Sequence, residues 1–238
     1  VGRIVRSDDQ PMRLSLSKCS PKRELQGQDL GEAGSTVNLA VGLDPAKKLS
    51  FALAVKFFSL GLRQWSTEPE MAFISFVSSI EAVSNSYRLP PESELGEDWE
   101  NLLAQIREQK LKEQLREKLI QKGQVRRRFV SFVIDHTTEE FWDRPGRPAD
   151  QSLRVSKNEL KRTANLLYEI RSKFLHSGEP PPPVMKFAMK GAEICPSQGA
   201  RASGRSWKRN SYPPTLDFIA ILFRHNLMTF LARNQSRK

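Results

Sequence analysis

The chain of 238 residues carries 38 lysines and arginines against 27 aspartates and glutamates, a net charge of +11. Such an excess favours a polyanionic partner, nucleic acid first, with an acidic protein or a membrane surface as alternatives. No apolar run reaches the ~18 residues of a membrane span, so we expect no insertion into a membrane. Cys19 and Cys195 lie outside any zinc-binding spacing. We therefore expect no metal, no cofactor and a reduced, cytoplasmic protein, although one long-range disulfide would also fit.

The N-terminal part of the chain is rich in Ser, Asp, Gly and Gln, and we interpret residues 1–43 as an irregular arm. A first helix is predicted over residues 45–65, because Asp44 suits its N-cap and Pro45 its first turn. Helical spacing predicts that its buried stripe consists of Leu49, Leu53, Phe57 and Leu60.

Three further segments follow in the middle of the chain. A second helix is predicted over residues 69–87, before two consecutive prolines that break the chain. A charged helix over residues 98–122 has a narrow apolar seam, and we expect Gly123 to interrupt it before another short helix. Residues 137–151 contain two prolines and a glycine and are interpreted as a loop.

The last third of the chain contains the best-delimited helix, predicted over residues 156–176. Ser156 followed by Glu159 is a capping-box pattern, and Gly178 is a typical helix stop. A long basic loop and an apolar helix over residues 214–233 complete the chain. The pattern predicts an all-α fold, a helical bundle with loop insertions over residues 44–238.

One arginine lies on the wrong face of the helix over residues 156–176. At ~100° per residue, Leu160, Leu167 and Phe174 define an apolar stripe, and Arg171 falls near its centre. A guanidinium buried there costs several kcal/mol (about 3–5) without a partner. Either Arg171 snorkels or pairs with a buried glutamate, or the face stays open as a cleft or a symmetric interface.

His176 lies five residues after Arg171, near the end of the same helix. In an unbroken helix the two side chains point apart, by ~140° around the axis. Either the last turn is distorted, or each Arg171 meets a His176 from a second copy of the chain. A terminal histidine that is simply solvated is the plainer alternative.

The segment from Leu167 to Gly178 resembles the hallmark of HEPN domains, and within them the Apea-like branch. That motif is an arginine followed by a polar residue and, after four to six residues, by a histidine, and Arg171, Ser172 and His176 match it. The branch places Gly directly after the His, whereas here Ser177 intervenes. Residues 73–85 and 216–231 also resemble family helices.

The resemblance implies a helical bundle that pairs two-fold, and in many members a metal-independent endoribonuclease. By that resemblance His176 is the general base or acid, and Arg171 holds the phosphate and its developing charge. Ser172 orients the substrate or Arg171. Glu81, in the second helix, is expected to pair with Arg171 or to orient His176, although a purely structural salt bridge is an equal alternative.

Several basic residues are candidates for binding RNA phosphates, with a solvated basic surface as the plainer interpretation. They are Arg126, Arg127, Arg128, Lys173, Arg205, Lys208 and Arg209, and Trp207 and Tyr212 are candidates for stacking on bases.

The first hypothesis is thus an RNA-cleaving homodimer, a toxin or defence effector that an inhibitor or antitoxin protein controls. The second is a non-catalytic HEPN module that binds RNA or a partner protein. The third is an interaction protein in which Arg171 only pairs with Glu81.

Overall fold

The computed structural model describes residues 27–87, 89, 97–182, 192–194 and 213–235. In these ranges every regular element is a helix, which confirms the all-α prediction, and a single bridge joins Ile194 to Pro214. The helices are α1 Gly27–Val41, α2 Pro45–Gln64, α3 Pro69–Ser84, α4 Glu97–Ala104, α5 Gln109–His136, α6 Glu139–Trp142, α7 Leu160–Ser177 and α8 Leu216–Gln235.

The prediction of an irregular N-terminal arm was wrong for residues 27–41, which form α1. This helix packs against α2 and α8 and is part of the bundle. The Gln235 side-chain amide donates a hydrogen bond to the Leu39 carbonyl oxygen at 2.6 Å, which ties α1 to the end of α8. Its glycines and serine disfavour a helix locally, so packing supplies the stability that propensity does not. Residues 1–26 lie outside the described part of the chain.

Helix α2 begins as predicted, because the Asp44 carboxylate accepts the Lys47 N–H at 3.0 Å. Its buried face was predicted wrongly. The structure buries Phe51, Ala54 and Gly61 instead, and Leu49 and Leu53 remain 74 % and 43 % exposed. Gly61 explains the difference, since a Cβ there would lie 2.7 Å from the Phe76 ring. The closest approach of the two helices therefore determines which stripe faces inward.

Helix α3 is the centre of the bundle and contacts α2, α5, α7 and α8. Nearly all its side chains from Ala72 to Ser84 are buried, among them Phe73, Phe76 and Ile80. Glu81 is the one charged side chain in this buried set. A carboxylate at such a position requires a partner, because an isolated charge in a core is strongly unfavourable.

The expected break at Gly123 was wrong. The helices α4 and α5 are separated at residues 105–108, and α5 then continues through Gly123 to His136. A glycine inside a helix costs about 1 kcal/mol relative to alanine. Buried residues of the last turns, such as Phe129, Phe132 and Val133, offset that cost by packing into the core.

The predicted loop over residues 137–151 contains the short helix α6. Here the buried Glu193 joins two arginines. Its carboxylate accepts from Arg144, from Arg147 Nε at 2.9 Å and Nη2 at 3.0 Å, and from the Val155 N–H at 2.9 Å. The segment that contains Glu193 is also held by backbone, since Thr215 N–H donates to the Glu193 carbonyl oxygen at 2.9 Å.

The predicted capping box forms at Ser156, but it caps a 3-10 turn over Lys157–Glu159 that leads into α7. The Glu159 carboxylate accepts from the Ser156 N–H at 3.0 Å and from its hydroxyl at 2.9 Å. At the other end Gly178 is left-handed, with φ of 66°, and its N–H donates to the Phe174 carbonyl oxygen at 3.1 Å. Helix α7 is therefore regular through His176.

Candidate functional site

Arg171 forms an ion pair with Glu81. Its Nη2 lies 2.5 Å from Glu81 Oε2, and the side chains are 19 % and 11 % exposed, respectively. The pair joins α7 to α3 at the point where the apolar stripe of α7 meets the core. Of the alternatives predicted for Arg171, the single chain therefore shows the pairing with a buried glutamate.

The ion pair uses only part of the Arg171 guanidinium. Its Nε is buried and has no hydrogen-bond partner, while Nη2 lies against Glu81. A buried donor without a partner costs about 1–3 kcal/mol. A planar fork with unused donors is suited to an oxyanion, because guanidinium nitrogens bind phosphate oxygens in pairs.

Burial and the neighbouring Arg171 shift the pKa of the Glu81 carboxyl group in opposite directions. Burial raises the pKa of the Glu81 carboxyl above its usual value, and the positive charge of Arg171 offsets part of that rise. Arg171 therefore favours the ionised form of this carboxyl group, against the larger effect of burial on its pKa. Removal of the guanidinium alone would leave a buried carboxyl without its partner.

His176 lies on the surface, away from Arg171. Because α7 is unbroken to Ser177, the distorted last turn is not found, and the two side chains lie ~140° apart around the helix. Ser172 and Leu175 project between them, at ~100° and ~40° from Arg171. His176 is exposed, and among the described residues neither His176 nor Ser172 has a hydrogen-bond partner for its side chain. One chain alone does not bring His176 to Arg171.

Tyr168 is a member of this site that the sequence analysis did not single out. It precedes Arg171 by one turn, and its ring packs on Phe129 with centroids 5.5 Å apart. Burial and the Glu81 carboxylate both raise the pKa of the Tyr168 phenol, while the charges of Arg171 and Arg126 lower it. The sequence could have indicated Tyr168, because a residue three positions before Arg171 on a helix is its neighbour on the helix surface.

The three consecutive arginines of α5 have different surroundings. Arg128 donates to the Asn85 carbonyl oxygen at 3.3 Å, at the C-terminus of α3, which is a structural capping contact. Arg126 is exposed and donates through Nε to Asn165 Oδ1 at 2.9 Å. Arg127 lies half-buried next to them. The three arginines, which form one basic cluster in the sequence, therefore differ in exposure and in hydrogen-bond partners in the structure.

The other predicted RNA-binding residues lie elsewhere. Lys173 pairs with Glu169 at 2.8 Å on the exposed face of α7. Arg205, Lys208 and Arg209 lie outside the described residues, as do Trp207 and Tyr212. The structure thus brings Arg171, Glu81 and Arg126 to one region, together with the new member Tyr168.

An open pocket of about 580 Å³ lies near the N-terminus of α7. Trp142, Arg147, Arg154 and Lys157 contribute to its lining, and none of the predicted catalytic residues does. Most of this positive charge is already engaged, since Arg147 binds Glu193 and Lys157 pairs with Glu139. We therefore do not assign the predicted chemistry to this pocket.

The two remaining histidines are structural. His136 is buried, stacks on Phe132 at 4.0 Å between ring centroids, and its Nδ1 lies 2.9 Å from the Phe132 carbonyl oxygen. Burial lowers the pKa of His136 to about 4. His225 is half-buried, and its Nε2 accepts the Thr138 N–H at 3.2 Å.

The low pKa of His136 predicts a loss of stability in acid. The folded chain resists protonation of this ring, so stability is complete above the unfolded pKa of about 6.5 and falls as pH decreases towards 4. We expect His136 to account for about 2–3 kcal/mol of the loss between pH 7 and pH 4.5. Urea denaturation of wild type and His136→Asn at both pH values measures this, and equal losses in the two proteins would contradict it.

Comparison with family models, with curated proteins and with solved structures gives no match for this chain. In the described ranges, no helix is long and apolar enough to cross a membrane. Among the same residues, no group of three or more His, Cys, Asp or Glu side chains is placed to hold a metal ion.

Proposed function

We propose that this protein is a metal-independent endoribonuclease that acts as a HEPN-type homodimer. The observation that carries the proposal is the state of Arg171, a mostly buried guanidinium that Glu81 holds and whose Nε has no hydrogen-bond partner. The same helix presents Ser172 and His176 within the next two turns, without partners in the described part of the chain. The net charge of +11 agrees with a polyanionic substrate.

The chemistry requires a base, an acid and a cation. The ribose 2′-hydroxyl attacks the adjacent phosphorus, and a His176 imidazole removes its proton. The bond from phosphorus to the 5′-oxygen breaks, and that oxygen takes the proton from the same His176, which is now an imidazolium. Arg171 binds the non-bridging oxygens, whose negative charge grows in the transition state. The products are a 2′,3′-cyclic phosphate and a 5′-hydroxyl.

Pairing of two copies would bring a His176 close to an Arg171, which a single chain does not do. Leu175 is 50 % exposed and lies on α7 between the directions of Arg171 and His176. An apolar side chain in that position is suited to burial against a second copy. A two-fold contact across this strip would let His176 of each copy approach Arg171 of the other. We propose that such a dimer is a cytoplasmic toxin or defence effector under the control of an inhibitor protein.

The test is incubation of the purified protein with single-stranded RNA in EDTA, followed by analysis of the new ends. Cleavage with 2′,3′-cyclic phosphate ends is the expected result. Cleavage that requires a divalent cation would contradict the mechanism, and so would products with a 3′-hydroxyl.

The alternative is a non-catalytic HEPN module that binds RNA or a partner protein, and the Glu81–Arg171 ion pair is the observation that favours it. Under this alternative the pair serves stability alone, and His176 is a solvated terminal residue. The His176→Ala variant would then bind RNA like the wild type, and neither protein would cleave it.

A further inference from the structure

A row of half-buried polar side chains lies beside Arg171 on α7, with Asn165 and Tyr168 one to two turns before it and Ser172 directly after it. Asn165, Tyr168 and Ser172 project at ~120°, ~60° and ~100° from Arg171, on the side that leads towards His176. The side of α7 that carries the HEPN-like motif therefore continues towards the N-terminus of the helix, where it meets the exposed Arg126 of α5.

Asn165 holds Arg126 in a defined orientation. Its Nδ2 donates to the Lys161 carbonyl oxygen at 2.8 Å, which directs Oδ1 towards Arg126 Nε at 2.9 Å. Across the described ranges, the two terminal nitrogens of Arg126 make no hydrogen bond. A guanidinium anchored through Nε retains its end-on pair of donors, which can bind two oxygens of one phosphate. Its orientation is partly fixed before a ligand binds, which lowers the entropic cost of binding.

Tyr168 lies between the two arginines. The Phe129 ring supports it at 5.5 Å, and its hydroxyl has no hydrogen-bond partner in the part of the chain that the structure describes. The charges of Arg171, Arg126 and Glu81 all act on this phenol, so its oxygen lies within electrostatic reach of both guanidiniums. A hydroxyl in that position can donate to a phosphate or accept from a ribose hydroxyl.

We infer that Arg126, oriented by Asn165, together with Tyr168, binds the phosphate adjacent to the one held by Arg171. The inference rests on the proposed function, because it places the strand that Arg171 would cleave. The ligand is a single-stranded nucleic acid. Its flexible backbone can run from Arg126 of α5 along the neighbouring face of α7 to Ser172. Arg128 is not part of this subsite, since it caps α3.

The test is fluorescence anisotropy of a labelled oligouridine against salt concentration, in a His176→Ala background that prevents cleavage. Arg126→Ala should weaken binding about tenfold at low salt and lower the slope of log K against log salt by about 0.7, the loss of one phosphate contact. Arg126→Lys and Asn165→Leu keep the charge, so they should weaken binding with little change of slope. Tyr168→Phe should weaken it at all salt concentrations.

Arg63→Ala is the matched control, because it removes one exposed positive charge from α2, far along the chain from the site. If Arg126→Ala and Arg63→Ala weaken binding equally, the subsite does not exist, whereas RNA binding by the parent protein still agrees with the proposed function. If the parent binds no RNA at low salt, both the subsite and the proposed function are overturned. Thermal unfolding of each variant establishes that the binding change is not a loss of folded protein.

Discussion

Replacing His176 with alanine should abolish RNA cleavage and leave the free energy of unfolding within about 0.5 kcal/mol of the wild type. A proton-transferring side chain contributes about 10²–10⁴-fold to rate, and here one residue type supplies both transfers. Stability should not change because the His176 side chain is exposed and, within the described ranges, makes no hydrogen bond or ion pair. Initial cleavage rates and urea denaturation of the same preparations measure the two effects.

A surface substitution near the N-terminus of α7, about 21 Å along the helix axis from His176, provides the control. Arg162 is exposed and pairs with Glu159 at 2.9 Å, and Arg162→Ala should leave the cleavage rate within twofold. Unchanged cleavage by His176→Ala would contradict the assignment of His176. Loss of stability in this variant would instead favour a structural role.

Replacing Glu193 with alanine should lower the free energy of unfolding by about 3–5 kcal/mol. This carboxylate lies buried between Arg144 and Arg147, whose side chains are themselves about 15 % exposed. Its removal leaves two guanidiniums without their shared partner and the Val155 N–H without its acceptor. Breaking one side of a buried ion pair is costly because the remaining charge is still desolvated. Urea denaturation at pH 7 gives the value.

Glu139→Ala is the comparison for this prediction. Glu139 also pairs with a cation, Lys157, but both side chains are more than 60 % exposed. An exposed pair contributes about 0–1 kcal/mol to stability. The loss of unfolding free energy should therefore be severalfold larger for Glu193→Ala than for Glu139→Ala. A loss below about 1 kcal/mol for Glu193→Ala would show that water or rearrangement satisfies the two arginines.

The sequence predicted those features that local residues determine. The capping box of Ser156 and Glu159, on the 3-10 turn before α7, and the stop of α7 at Gly178 form as predicted, because each acts within one turn of the chain. The position of Arg171 in an apolar stripe indicated a buried partner or an open site, and the structure places Glu81 there.

Features that depend on distant contacts were missed or predicted wrongly. Gly61 allows α2 to approach Phe76 closely, and this contact decides that Leu49 faces outward. The partners of Glu193 lie 38 to 49 residues earlier in the chain, so no local pattern relates them. Helix α1 depends on packing against α8, which propensity does not reveal.

The central claim is that Arg171 of one copy works with His176 of the other, and a mixing experiment tests it most directly. One protein carries His176→Ala, and the other carries Arg171→Met with Glu81→Gln, so that no buried carboxylate is left without a partner. After dissociation and reassociation in equal amounts, half of the dimers are mixed, and each has one complete site. The mixture should recover roughly a quarter of the wild-type cleavage rate, although neither variant is active alone. A mixture that exchanges subunits but stays inactive, beside an active wild type, would contradict the shared site.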